Sequence, residues 1–147
     1  MLQTSIPILI IPEHVEYECI SKIVWASDFK PVSNLSSLEL IKDIAVELES
    51  TVRIAHVKTN DEKSPSEIKR EKSWEDKFFG HDVKHSFKNI RRSSVSKGIN
   101  YYLDHKEDNN LLVLVRREYG FLDRMFKKNH AEEFAKEPRL PLMIIHE

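Results

Sequence analysis

Two kinds of pattern alternate along the chain. Short, nearly unbroken apolar runs stand at Ile6–Ile11, Lys22–Ala26, Val52–Val57, Leu111–Val115 and Leu142–Ile145, and a weaker alternation spans His81–Phe87. Runs of Val, Ile and Leu with few polar interruptions predict strands covered on both faces, the condition of a parallel sheet. Between the runs the spacing becomes helical. Leu35, Leu38, Ile41, Ile44, Ala45 and Leu48 mark one amphipathic helix, with Ser33 and Asn34 in position to cap it.

Ser64-Pro65-Ser66-Glu67 combines a capping serine, a proline suited to the first turn and a glutamate that completes a capping box. It predicts a second helix carrying Ile68, Trp74 and Phe78 and ending at Gly80. A third helix is expected over 94–105, with Val95, Ile99, Tyr102 and Leu103 inward. A fourth begins at Asn129-His130-Ala131-Glu132 and stops before Pro138. From Lys22 the order is β-α-β-α-β-α-β-α-β, which right-handed crossovers turn into a parallel sheet with helices on both faces.

Composition narrows the functional classes. In 147 residues, 23 Lys and Arg face 24 Asp and Glu, a net charge of -1 that offers no general nucleic-acid or membrane surface. Cys19 is the one cysteine, so neither an internal disulfide nor a Cys-x-x-Cys site can form. Ile6–Ile11 is far shorter than the roughly 20 residues of a membrane span, and its prolines and missing basic flank make it a poor signal peptide. A cytoplasmic protein is expected. The three glycines, Gly80, Gly98 and Gly120, lie too far apart for a Walker loop or a Gly-x-Gly-x-x-Gly turn.

The chain also contains an echo. Ile6-Pro7-Ile8-Leu9-Ile10-Ile11-Pro12-Glu13 aligns with Leu140-Pro141-Leu142-Met143-Ile144-Ile145-His146-Glu147, identical at the first proline, two isoleucines and the glutamate. Short Pro-plus-aliphatic strands are common, which is one reading. The other is that residues 1–14 form an arm resembling the last strand of a preceding repeat, beside a domain over 20–147. Such an arm is expected to pair with Leu142–Ile145 of its own chain or of a partner.

The assembled segments resemble the universal stress protein family. The pieces are Lys22-Ile23-Val24-Trp25-Ala26-Ser27-Asp28-Phe29, Arg53-Ile54-Ala55-His56-Val57, Gly98–Leu103 followed by Asn110–Val115, and His130–Phe134 followed by Leu140–Ile145. The resemblance implies a three-layer, open, five-stranded parallel sheet of order 3-2-1-4-5, here with an extra N-terminal strand. It also implies a dimer or pseudo-dimer through the last strands, with Ile6, Ile8, Ile10, Leu142 and Ile144 as interface candidates. The partner is then a second copy or a preceding tandem domain. Some members bind ATP through Gly-x-x-Gly followed by Gly-Ser or Gly-Thr after the fourth strand. The corresponding positions here are Val115, Glu118 and Lys128, with Asn129 in place of the hydroxyl residue.

Ala26, Ser27, Asp28, Val57, Arg116, Lys128 and Asn129 are therefore the ligand-site candidates. Asp28 stands where the first parallel strand ends, at the edge where open α/β sheets bind ligands, or else it only holds a turn. Arg116, Arg117, Lys127 and Lys128 either offer charge to an anion or form a solvated basic loop. Among seven histidines, His81 and His85 are expected to share a strand face with no completing ligand, so no metal site is expected. His56 and His130 fall near strand ends without a serine or cysteine nucleophile partner. Trp25, Trp74, Phe78 and Phe79 read as core or interface aromatics. The expectation is a non-catalytic, dimeric regulatory or interaction domain with no cofactor, its ATP binding lost or weak. Two alternatives are an ATP- or AMP-binding switch using Asp28 with the basic loop, and an inactive tandem half.

Overall fold

The computed structural model describes residues 6–16, 19–59, 74–105, 108–116 and 139–146. Six strands form one sheet: β1 (Ile8–Ile10), β2 (Lys22–Ala26), β3 (Thr51–Lys58), β4 (His85–Arg91), β5 (Leu111–Arg116) and β6 (Leu142–His146). Their order is β1-β6-β5-β2-β3-β4. The five strands from β2 to β6 are parallel to their neighbours, and β1 lies antiparallel on the outer edge of β6. Numbered from β2, the parallel part has the expected order 3-2-1-4-5.

Helices cover both faces. α1 (Leu35–Glu47) and α2 (74–79) close one core with Trp25, Phe29, Ile41, Ile54, Phe79 and Val113. α3 (Val95–Asp104) closes the other with Val24, Ala55, Val57, Ile99, Tyr102 and Leu114. Asn34 caps α1 by accepting the Ser36 N–H at 3.2 Å, and Ser94 caps α3. Gly80 ends α2 in the left-handed region, at φ 56°. The proposed start of α2 at Ser64 and the fourth helix after Asn129 lie outside the described residues.

Two expectations are corrected. His81–Phe87 is not a strand: residues 81–84 turn, and β4 begins at His85. Val83 fills the first core from that turn, so the apolar position that suggested alternation belongs to a loop. His81 therefore shares no strand face with His85. Leu35 and Leu48, at either limit of the α1 stripe, are about half exposed instead of inward.

The amino edge of the sheet is tied by polar groups. Asn110 Oδ1 accepts from the Ser21 N–H and hydroxyl at 2.9 Å each and from the Lys22 N–H at 3.1 Å, joining the starts of β2 and β5. The Arg53 guanidinium spans both oxygens of Asp108 at 2.8 and 2.9 Å and also reaches Asn109. That fork holds the Asp108 carboxyl below its ordinary pKa, while burial pushes the Tyr102 phenol up.

Candidate functional site

The winding of an open α/β sheet locates its crevice. From β2 the chain steps outward through β3 and β4, then returns to β5 on the other side of β2 and continues to β6. The crossover direction reverses between β2 and β5, and ligands enter such sheets outside the carboxyl ends of those two strands. Ser27, Asp28 and Phe29 leave β2 there, and Arg116 ends β5.

The Ser27–Phe29 segment is held from several directions. The Ser27 N–H donates to the Ala55 carbonyl at 2.9 Å, continuing the β2–β3 ladder. The Ser27 carbonyl accepts from His56 Nδ1 at 3.0 Å, which assigns the proton to that nitrogen. The Ser27 hydroxyl accepts the Phe29 N–H at 3.0 Å and donates to Glu75 Oε1 from α2. Trp74 Nε1 donates to the Phe29 carbonyl at 2.9 Å, and the Phe29 ring stacks on His56 at 4.4 Å. Phe29 has φ 61°, a left-handed conformation costly for a residue with a Cβ. The surrounding contacts hold it there with its side chain wholly buried.

Asp28, between these anchored residues, is half-buried, and its Oδ1 accepts the Lys30 N–H at 3.1 Å in a local turn. Ala26 lies in the second core. Val57 packs there too, against the glycine of α3: a Cβ built on Gly98 would stand 2.5 Å from both Val57 methyls. Arg116 faces His146 across the β5–β6 pair, and burial, with the Arg116 charge adding to it, holds the imidazole below the ordinary histidine pKa. Lys128 and Asn129 lie outside the described residues.

No protein-family profile and no curated protein sequence matches the chain. Solved structures do. A universal stress protein from Archaeoglobus fulgidus DSM 4304 superimposes with a TM-score of 0.68 at 14% identity, covering 97% of this chain and 50% of that one. This chain thus spans half the length of that relative. A universal stress protein in complex with cAMP gives 0.60 at 17% identity, covering 88% of this chain and 98% of that one. A shorter universal stress protein from Archaeoglobus fulgidus, in complex with dAMP, gives 0.59 at 17%, covering 88% of this chain and 98% of that one. The fold is that of the universal stress proteins.

Val115, which the sequence resemblance set at a glycine position of the ATP-binding members, is buried in the first core; Glu118 and Lys128 lie outside the described residues. Glu75 was not among the sequence candidates, although it is fully buried beneath the loop after β2. A signal existed: Glu75 precedes Phe79 by four residues, so a carboxylate falls on the inward face of a helix. Its partner Ser27 is 48 residues away, a separation no helical period encodes. Among the described residues no three His, Cys, Asp or Glu converge on a metal position, and no helix is long and apolar enough to cross a membrane.

Proposed function

We propose that the chain is a universal stress protein-like regulatory domain of the cytoplasm that works by association rather than by catalysis, with adenine-nucleotide binding lost or weak. One observation carries the reading. At the crevice, the Ser27 amide, carbonyl and hydroxyl and the Phe29 amide and carbonyl are all engaged by Ala55, His56, Glu75, Trp74 and each other. A nucleotide has to break such bonds or do without them, and buried polar groups left unpaired cost about 1–3 kcal/mol each. The Ser27 hydroxyl donates to a buried carboxylate and Ser27 itself is almost wholly buried among the described residues, which supports the non-catalytic reading.

A second reading has its own support. Two similar structures hold cAMP and dAMP, and Asp28 and Arg116 flank the crevice at the ends of β2 and β5. On that reading Asp28 takes the nucleoside and Arg116 the phosphate. Isothermal titration with ATP, AMP and cAMP separates the two. No saturable heat at millimolar nucleotide is expected. Micromolar binding abolished by Asp28→Ala establishes the switch instead.

A further inference from the structure

Charge is divided unevenly between two surfaces of the chain. From Val83 to Leu103 the sequence holds five Lys and Arg and no Asp or Glu, whereas residues 35–50 hold four acids and the single cation Lys42. At a net charge of -1, this segregation puts a positive and a negative surface on one molecule.

The positive surface lies at β4, the last strand of the sheet on its side. Arg91 is the register partner of Lys58, so two cations stand on adjacent strands with backbones about 4.8 Å apart. Like charges in that position repel. Lys88 is exposed on the other face of the strand, the face of Ile90 and α3. Arg92 follows, its N–H on the Lys58 carbonyl at 3.3 Å and its guanidinium 3.7 Å over the Tyr101 ring. Lys97 lies one turn before Tyr101 on α3. A basic band therefore runs along the β4 edge and onto the start of α3.

The negative surface is the outer face of α1. Glu39, Asp43 and Glu47 recur at four-residue spacing, all exposed, and form one ridge about 12 Å long. Like charges at that spacing destabilise a helix, and Lys42, the cation that could relieve them, turns aside to Asp82 at 3.0 Å. Leu35 and Val46 stand beside the ridge, 47% and 48% exposed. The other ion pairs among the described residues join Arg53 to Asp108, His85 to Asp76 and Arg139 to Asp104. None of them reaches the ridge or the band.

The two surfaces are complementary in sign and in length, since Lys88 to Arg91 covers about 10 Å of strand. α1 turns Leu38, Ile41 and Ala45 to the core, so its ridge faces away from the molecule and cannot fold onto its own band. We propose that the basic band is a docking surface for the α1 ridge of a second copy of this chain. Glu39, Asp43 and Glu47 then meet Lys88, Arg91 and Lys58, while Leu35 and Val46 rest on Tyr101 and the aliphatic stems of the cations. Ridge and band are different surfaces, so the contact is heterologous, closing into a ring or extending as its rotation dictates. This rests on the association reading above and deepens it, naming a partner and a surface away from the β1–β6 edge. Nucleotide titration reads the crevice and not this band, so the two readings fail separately.

The test uses the full chain in sedimentation equilibrium. The parent should associate at least ~10-fold more tightly in about 20 mM salt than in about 0.5 M, because contacts between exposed charges are screened. Lys88→Glu with Arg91→Glu reverses the band, and Glu39→Lys with Asp43→Lys reverses the ridge. All four side chains are exposed, so both variants should fold, with urea unfolding as the check. Each alone should associate at least ~10-fold more weakly than the parent at low salt. Mixed, they should associate as tightly as the parent, because each reversed surface then meets its opposite. Should a reversed variant fail to fold, Lys88→Gln with Arg91→Gln and Glu39→Gln with Asp43→Asn should each weaken the low-salt association. A parent that stays monomeric at low salt and millimolar protein overturns the proposal. So does association that the reversals leave unchanged, or a mixture no tighter than its components. Polyglutamate or an oligonucleotide bound to the band of a monomeric parent also overturns it, assigning the band to an acidic partner from another chain or to nucleic acid.

Discussion

The loop after β2 and the ladder between β1 and β6 solve opposite problems at two places on the sheet. The gripped segment of the loop, Ser27–Phe29, is three residues long, and β3 and α2 hold it strongly enough to keep Phe29 at positive φ. The ladder also involves three residues of β1, but about half of Leu9 and most of Ile11 remain in water. Backbone pairing alone does not make a rigid element: side-chain burial decides what opens first. The crevice loop is gripped by buried side chains, whereas β1 lies on the β6 edge with much of its apolar surface in water.

Substitutions can break this contrast, beginning with the largest expected effect. Phe29→Ala removes a wholly buried ring stacked on His56 while keeping the Cβ at positive φ, and should cost about 3 kcal/mol in urea unfolding. A loss below about 1 kcal/mol would mean that the loop is not gripped as described. Gly98→Ala drives a methyl into Val57 and should cost about 1–2 kcal/mol net of the helix propensity gained. Val57→Ala in the same chain should restore part of that loss, a coupling readable from the double-mutant cycle.

Electrostatic effects come next. His146, on the strand that receives β1, has its pKa lowered by burial and by Arg116. The unfolded chain therefore takes up the proton first. Stability is complete above about pH 6.5, the ordinary histidine value, and declines as pH falls through the lower folded value. His146→Asn should flatten the melting temperature between pH 7 and 5. Asp108→Asn should remove about 0.5 kcal/mol or less, because the carboxylate is mostly solvated, and the effect should fade in high salt. Leu9→Ala closes the series with a change of a few tenths of a kcal/mol, an order of magnitude below Phe29→Ala although both residues are large and apolar.

Much of this architecture was legible in the residues. Continuous runs such as Leu111–Val115 became the interior strands, since burial on both faces leaves no room for polar positions. Asn34, Ser94 and Gly80 marked helix ends through local hydrogen bonding and dihedral freedom, which short segments encode. The echo between Ile6–Glu13 and Leu140–Glu147 anticipated the pairing of β1 with β6. β4 was misplaced because an edge strand with Lys88, Asn89 and Arg91 exposed lacks the apolar run of its neighbours. The grip on the crevice loop was hidden for another reason. Ser27 with Glu75, and Trp74 with Phe29, are contacts across 48 and 45 residues whose chemistry appears only when α2 packs over the end of β2.

Native-state hydrogen exchange, read at the amides of Ile8–Ile10 against those of Ser27 and Phe29, puts the contrast to its most direct test. The β1 amides should exchange through a local opening far easier than global unfolding, while Ser27 and Phe29 exchange only with the core. Equal protection at the two places, or early exchange at Phe29, would contradict the view that the crevice loop is locked and β1 loosely held.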